Sequence, residues 1–289
     1  MFCLPEWHRQ RPGCYTDDMH KIFTTLIASF TLIVLAAAPV AAASPNKTHG
    51  GGNASTSTLL GNDVSWPQCS SKLPAKQAFG IVGVNDGLAN TTNPCFATEL
   101  AWANRSVGGT GQPLVALYVN TANPGLQGSW WPTSNEYPAG TVVTNPYGTC
   151  AGANDQACAF MYGYAKAYDD VNSRGVTTPS AYTWWLDVET GNTWQTDTVA
   201  NMADLEGMTT YFTGIGAKVG LYSTSYQWGQ ITGTVSTTSN LNGLPSWIPG
   251  ARSQSGAASN CALPPLTTGG KVTLTQFVSK NLDYDYSCI

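Results

Sequence analysis

Tyr182-Thr-Trp-Trp-Leu-Asp-Val-Glu-Thr-Gly-Asn192 runs from an apolar, aromatic segment into two carboxylates, Asp187 and Glu189. Side chains alternate across a β-strand, so residues two apart share a face. The segment 181–188 therefore reads as a buried strand with both acids facing one space at its end. A strand that is apolar on both faces belongs in a sheet covered on both sides, and the flanking sequence supplies its neighbours.

Upstream lie Gly61-Asn-Asp-Val-Ser-Trp66, Ala78-Phe-Gly-Ile-Val-Gly-Val84 and Pro113-Leu-Val-Ala-Leu-Tyr-Val119; downstream lie Lys218-Val-Gly-Leu-Tyr-Ser223, Leu244-Pro-Ser-Trp-Ile248 and Val272-Thr-Leu-Thr-Gln-Phe-Val278. Helical spacing appears over 96–107, 156–173, 198–215 and 225–231, with Val199, Met202, Leu205 and Met208 forming one stripe of the third. Apolar strands alternating with helices give the α/β class and a parallel sheet. About seven or eight strands in one domain predict a single (β/α) TIM-like barrel, somewhat irregular and short of helices, with an open doubly wound sheet as the alternative. Barrel chemistry gathers at the C-terminal strand ends, where Asp63, Asn85, Asp86, Asn120, Asp187, Glu189, Ser223 and Gln276 fall. Asp283-Tyr-Asp-Tyr-Ser-Cys288 reads as a terminal segment in which Asp285 either lines the rim or closes a turn, the turn being favoured. The connection 120–153 is long and rich in Gly, Pro, Asn and Trp, which implies a functional or pinned loop.

The N-terminal sequence has a different character. An apolar run over 22–43 follows His20-Lys21 and ends in an Ala-x-Ala site at Ala41 and Ala43, so 1–43 reads as a secretory signal region with Met19 as a second candidate start. A membrane anchor is the rival reading; Pro39 and the small residues after it favour cleavage. Residues 44–61 read as a flexible linker and 62–289 as the folded domain. With charged residues at only 10% and no basic run, nucleic acid is excluded as a partner. No Gly-rich phosphate loop follows the first strand, so no nucleotide is expected. A secreted monomer, without cofactor or metal and free of the membrane after cleavage, is the expectation.

Six of the eight cysteines follow the signal region: Cys69, Cys95, Cys150, Cys158, Cys261 and Cys288. An even count after a secretory signal implies disulfides, and six cysteines allow 15 pairings. Order along the chain favours Cys69–Cys95, Cys150–Cys158 and Cys261–Cys288. The three histidines, His8, His20 and His49, all precede the folded domain. That removes Ser-His-Asp and Cys-His catalysis and histidine-ligated metals from it. Acid–base work then falls to carboxylates. Two close acids in a partly apolar cleft titrate apart, which is what glycoside hydrolysis requires. The plain alternative is a strand end whose acids cap a loop or pair with a base.

Asp63-Val-Ser-Trp-Pro-Gln68 resembles the Asp-Val-Ser-x-x-Gln opening of family 25 glycoside hydrolases, the Chalaropsis-type lysozymes. Leu186-Asp-Val-Glu189 resembles their mid-chain Asp-x-Glu, and Leu274-Thr-Gln-Phe277 with Asp283-Tyr-Asp285 their closing strand and trailing Asp. The ordered set spans 62–289 and looks closer still to a group of secreted actinobacterial proteins with this barrel. The resemblance implies Glu189 as proton donor, Asp187 as stabiliser or base, Asp63 in the same pocket, and peptidoglycan or a related N-acetylhexosamine glycan as substrate. Read from the residues themselves, the aromatics Trp66, Trp185 and Tyr222 and the polar Asn85, Asn120, Gln276 and Asp285 are the candidate substrate-binding residues. Two departures stand out: Leu117-Tyr-Val-Asn-Thr121 replaces an aromatic-His-Phe segment, and the 120–153 loop with its cysteines is not typical. Trp130 and Trp131 in that loop are further candidates for sugar stacking, while Trp184 should fill core. A non-catalytic cell-wall or glycan-binding domain is the alternative function, and a structural protein without glycan contact a third.

Overall fold

A computed structural model describes residues 60–289; the signal region and nearly all of the expected linker lie outside them. Eight strands close into a barrel in chain order: β1 (Leu60–Val64), β2 (Gly80–Gly83), β3 (Val115–Asn120), β4 (Thr183–Asp187), β5 (Lys218–Tyr222), β6 (Ser246–Ala251), β7 (Val272–Ser279) and β8 (Leu282–Ser287). The first seven are parallel neighbours, whereas β8 runs antiparallel to both β7 and β1. The expected barrel is therefore present, with one reversed strand where the sequence suggested only a terminal segment. A two-residue turn produces the reversal: Lys280 and Asn281 sit at φ 51° and 60°, the left-handed pair that a tight hairpin demands. β1 also takes in Leu60 and Gly61, which composition had assigned to the linker.

Five helices pack outside: α1 (Phe96–Ala103), α2 (Gln156–Asn172), α3 (Thr198–Gly214), α4 (Ser225–Thr232) and α5 (Gln254–Asn260). No full α-helix separates β1 from β2 or β7 from β8, so the ring is short of helices as anticipated. Asp155, Asp197, Thr224 and Ser253 cap the N-termini of α2 to α5 with side-chain acceptors.

Strand parity divides the core. Ile81, Ala116, Trp185, Trp247 and Leu274 fill the barrel interior. Val82, Leu117, Trp184, Leu186 and Leu221 face the helices, where Trp184 stacks on Phe212 at 4.5 Å. The interior aromatics demand space: a Cβ at Gly220 would stand 2.3 Å from the Trp185 ring. A third cluster, including Val143, Phe160 and Met161, lies under the long β3–α2 loop. The disulfides follow chain order: Cys69–Cys95, Cys150–Cys158 and Cys261–Cys288. Among the described residues no helix is long and apolar enough to cross a membrane.

Candidate active site

Strand parity and register build the site. Asn120 at the end of β3 is paired with Asp187 at the end of β4, and Asp187 with Tyr222 on β5. Asp63 on β1 lies across from Asp283 on β8. Asp63, Asp187, Tyr222 and Asp283 surround a pocket of about 170 Å³ that Tyr118, Glu189, Trp247 and Gln276 also line. The pocket opens at the C-terminal strand ends, and none of its lining side chains is basic.

Each acid is held differently. Asp187 is buried; Asn120 Nδ2 donates to its Oδ2 at 3.0 Å, and its Oδ1 has no partner among the described residues. Burial, with the charges of Glu189 and Asp63, pushes Asp187 well above the ordinary carboxylate value. Glu189 is half-buried, and Gln227 Nε2 approaches its Oε1 at 3.4 Å. Gln227 is itself fixed, because its Oε1 accepts from the backbone and hydroxyl of Thr190 at 2.7 and 2.9 Å. Asp63 accepts from Gln276 Nε2 at 2.9 Å, and Tyr222 donates to Gln276 Oε1 at 3.0 Å. Burial and the charge of Asp283 raise Asp63 to about 7, against the lowering effect of the Gln276 bond.

Asp285 is fully buried on β8, so it neither closes a terminal turn nor lines the rim. Burial and the Asp63 charge push it well above its ordinary value, and its oxygens make no hydrogen bond of ordinary geometry. Trp185 fills the barrel interior, its ring 5.7 Å from Trp247.

Residues 154–253 match the family model described as Lysozyme-like protein 1. The matched stretch carries Asp187 and Glu189 and ends before β7. Among solved structures, the chain is similar to a muramidase from Acremonium alcalophilum at 16% identity, covering 79% of this chain and 92% of that one, with a TM-score of 0.49. It is similar to the bacterial lysozyme from Streptomyces coelicolor at 17% identity, with coverage of 81% and 94% and a TM-score of 0.49. A family GH25 lysozyme from Aspergillus fumigatus aligns at 14% identity, with coverage of 78% and 91% and a TM-score of 0.43. No similar sequence is found among curated proteins.

Five sequence candidates do not line this pocket: Asn120, which braces Asp187, Trp185, which fills the barrel interior, and Asn85, Trp66 and Asp285. Asn85 is fully buried behind the mouth, where its amide donates to Asp170 Oδ1 and its Oδ1 accepts from Asn120 N at 2.9 Å. It positions Asn120 rather than meeting a ligand. Trp66 is 47% exposed on the loop after β1, against Gly87. Asp285, as described, lies inside the barrel. Trp130 and Trp131 stack on Tyr162 of α2 at 6.0 and 5.3 Å instead of facing the acids.

The sequence reading missed Tyr118, Asp283 and Gln227 as site residues. Tyr118 had a usable signal, since it shares strand parity with Asn120. Asp283 did not, because its place depends on the reversal of β8.

Proposed function

We propose that the chain is a secreted, monomeric glycoside hydrolase of lysozyme type, acting on peptidoglycan or a related N-acetylhexosamine glycan. The observation that carries this reading is the convergence of Asp187, Glu189 and Asp63 on one pocket at the barrel mouth. The partial match to a lysozyme-like family and the three disulfides, suited to an oxidising compartment, support it.

Glu189, reachable from solvent, gives its proton to the glycosidic oxygen as the bond to the anomeric carbon breaks. Asp187 orients the acetamido group of the sugar on the other side of that bond by accepting from its N–H, which leaves the acetamido oxygen free to attack and stabilises the positive charge that develops on the group. The acetamido oxygen then attacks the anomeric carbon in place of a protein nucleophile. Water opens the resulting ring and returns a proton to Glu189. Asp187 Oδ1, buried and without a partner among the described residues, is the atom that the acetamido N–H would satisfy, and Asn120 fixes the other oxygen. Asp63, braced by Gln276, supplies a neighbouring carboxyl whose charge raises the pKa of Asp187.

The test is release of reducing ends from purified bacterial walls. Wild-type protein inert on walls and on N-acetylhexosamine oligomers overturns catalysis. Wall binding that persists without cleavage establishes the binding-domain alternative.

A further inference from the structure

At the same end of the barrel as the acid pocket lies a second hollow of about 310 Å³. Its walls come from the loops after β2, β3 and β4, and the last two of these strands also hold Asn120 and Asp187. Leu88, Gln127, Ser129, Tyr162, Asn192 and Thr193 line it, and none of its lining residues is charged. Amides and hydroxyls beside the aliphatic Leu88 match a neutral sugar bearing hydroxyl and acetamido groups, while the buried Tyr162 ring, covered by Trp130 and Trp131, gives the hollow a firm floor.

The hollow is built in advance. The Cys150–Cys158 bridge ties the end of the β3–α2 loop to the first turns of α2, which carries Tyr162. Trp130 and Trp131 of that loop both stack on Tyr162. Asn123 N donates to Thr193 O at 2.9 Å, closing the β3 loop onto the β4 loop. Gln195 bridges the two ends of the long loop: its Nε2 donates to Asn123 Oδ1 at 2.8 Å, and its Oε1 accepts from Asn154 Nδ2 at 2.7 Å. A wall fixed in this way loses little freedom when a ligand binds, so its contacts appear as affinity.

We propose that this hollow is a subsite for an uncharged N-acetylglucosamine-type unit, further along the same glycan that crosses Asp187 and Glu189. The assignment rests on the glycosidase reading of the acid pocket. It gives the atypical β3–α2 loop a task, which is selection for longer chains.

The test uses alternating N-acetylglucosamine–N-acetylmuramic acid fragments of increasing length, with Ser129→Trp to fill the hollow and Gln127→Ala to strip one amide from it. Losing one or two hydrogen bonds, or the space for the sugar, should cost about tenfold in kcat/KM on the longest fragment. The shortest cleaved fragment should change less than about twofold on the same scale. Variants that keep the full gain with chain length overturn the subsite. If wild-type protein cleaves nothing, the proposed activity fails, and calorimetry with the longest fragment decides the subsite separately. Binding weakened by Ser129→Trp upholds it; equal or absent binding overturns it.

Discussion

Asp63 on β1 and Asp283 on β8 stand opposite each other in the antiparallel ladder that closes the barrel. Two carboxyls so placed repel when both are ionised, and burial adds to the cost. Asp283→Asn removes that charge and should lower the value of Asp63 from about 7. If the Asp63 proton contributes to turnover, the alkaline limb of the kcat/KM profile moves to lower pH in the variant. Carbon-13 carboxyl titration of Asp63 checks the shift directly; an unmoved titration contradicts it.

Stability should follow the same acids. Asp63 holds its proton up to about 7 in the folded chain, against an ordinary value of 3.8. Between those values the folded state binds more protons than the unfolded state, so stability falls as pH rises through the window. Asp187 and Asp285 shift in the same direction. The thermal midpoint should therefore be higher near pH 5 than near pH 7.5, read by scanning calorimetry at roughly constant ionic strength. A midpoint that climbs toward neutral pH contradicts this account.

Glu189→Gln keeps size and most of the polarity but cannot give up a proton. Removing a general acid should cut wall cleavage by about 10²–10⁴-fold while the thermal midpoint stays close to wild type. Comparable activity in the variant assigns the proton to another group.

Asn120→Ala leaves Asp187 Oδ2 without its only hydrogen bond among the described residues, at a cost of about 1–3 kcal/mol for a buried polar atom. The variant should lose turnover more than substrate affinity, because the amide orients the acid. A change confined to KM argues for direct substrate contact instead.

Gly163 and Gly207 allow α2 and α3 to touch backbone to backbone. A Cβ at Gly163 would lie 1.9 Å from Asp204 O, and one at Gly207 2.0 Å from Phe160 O. Alanine at either position forces the helices apart and should cost at least about 1–3 kcal/mol, read as a lowered denaturation midpoint.

Most of the barrel was legible because β2, β3, β4, β5 and β7 are apolar runs with clear turn signals. β8 was not. Its Leu-Asp-Tyr-Asp-Tyr-Ser alternation turns acids inward, which contradicts the rule that the buried face is apolar. α5, Gln-Ser-Gly-Ala-Ala-Ser-Asn, buries only Ala257 and has no amphipathic stripe to detect. Asp187 at the end of β4 and Glu189 just past it were visible from strand parity alone. The side chains that brace them were harder to see, because Gln227 acts from a helix and Asn85 works from behind the mouth.

The reversal of β8 also fixes where the folded domain can be held. Leu60 lies opposite Tyr286, and Gly111 N donates to the terminal residue Ile289, so the start of β1 and the end of the chain emerge together at the end of the barrel away from the acids. A tag, a surface linkage or a fused module joined at either point leaves the mouth unobstructed. Immobilised protein should therefore meet an insoluble polymer with its pocket facing outward.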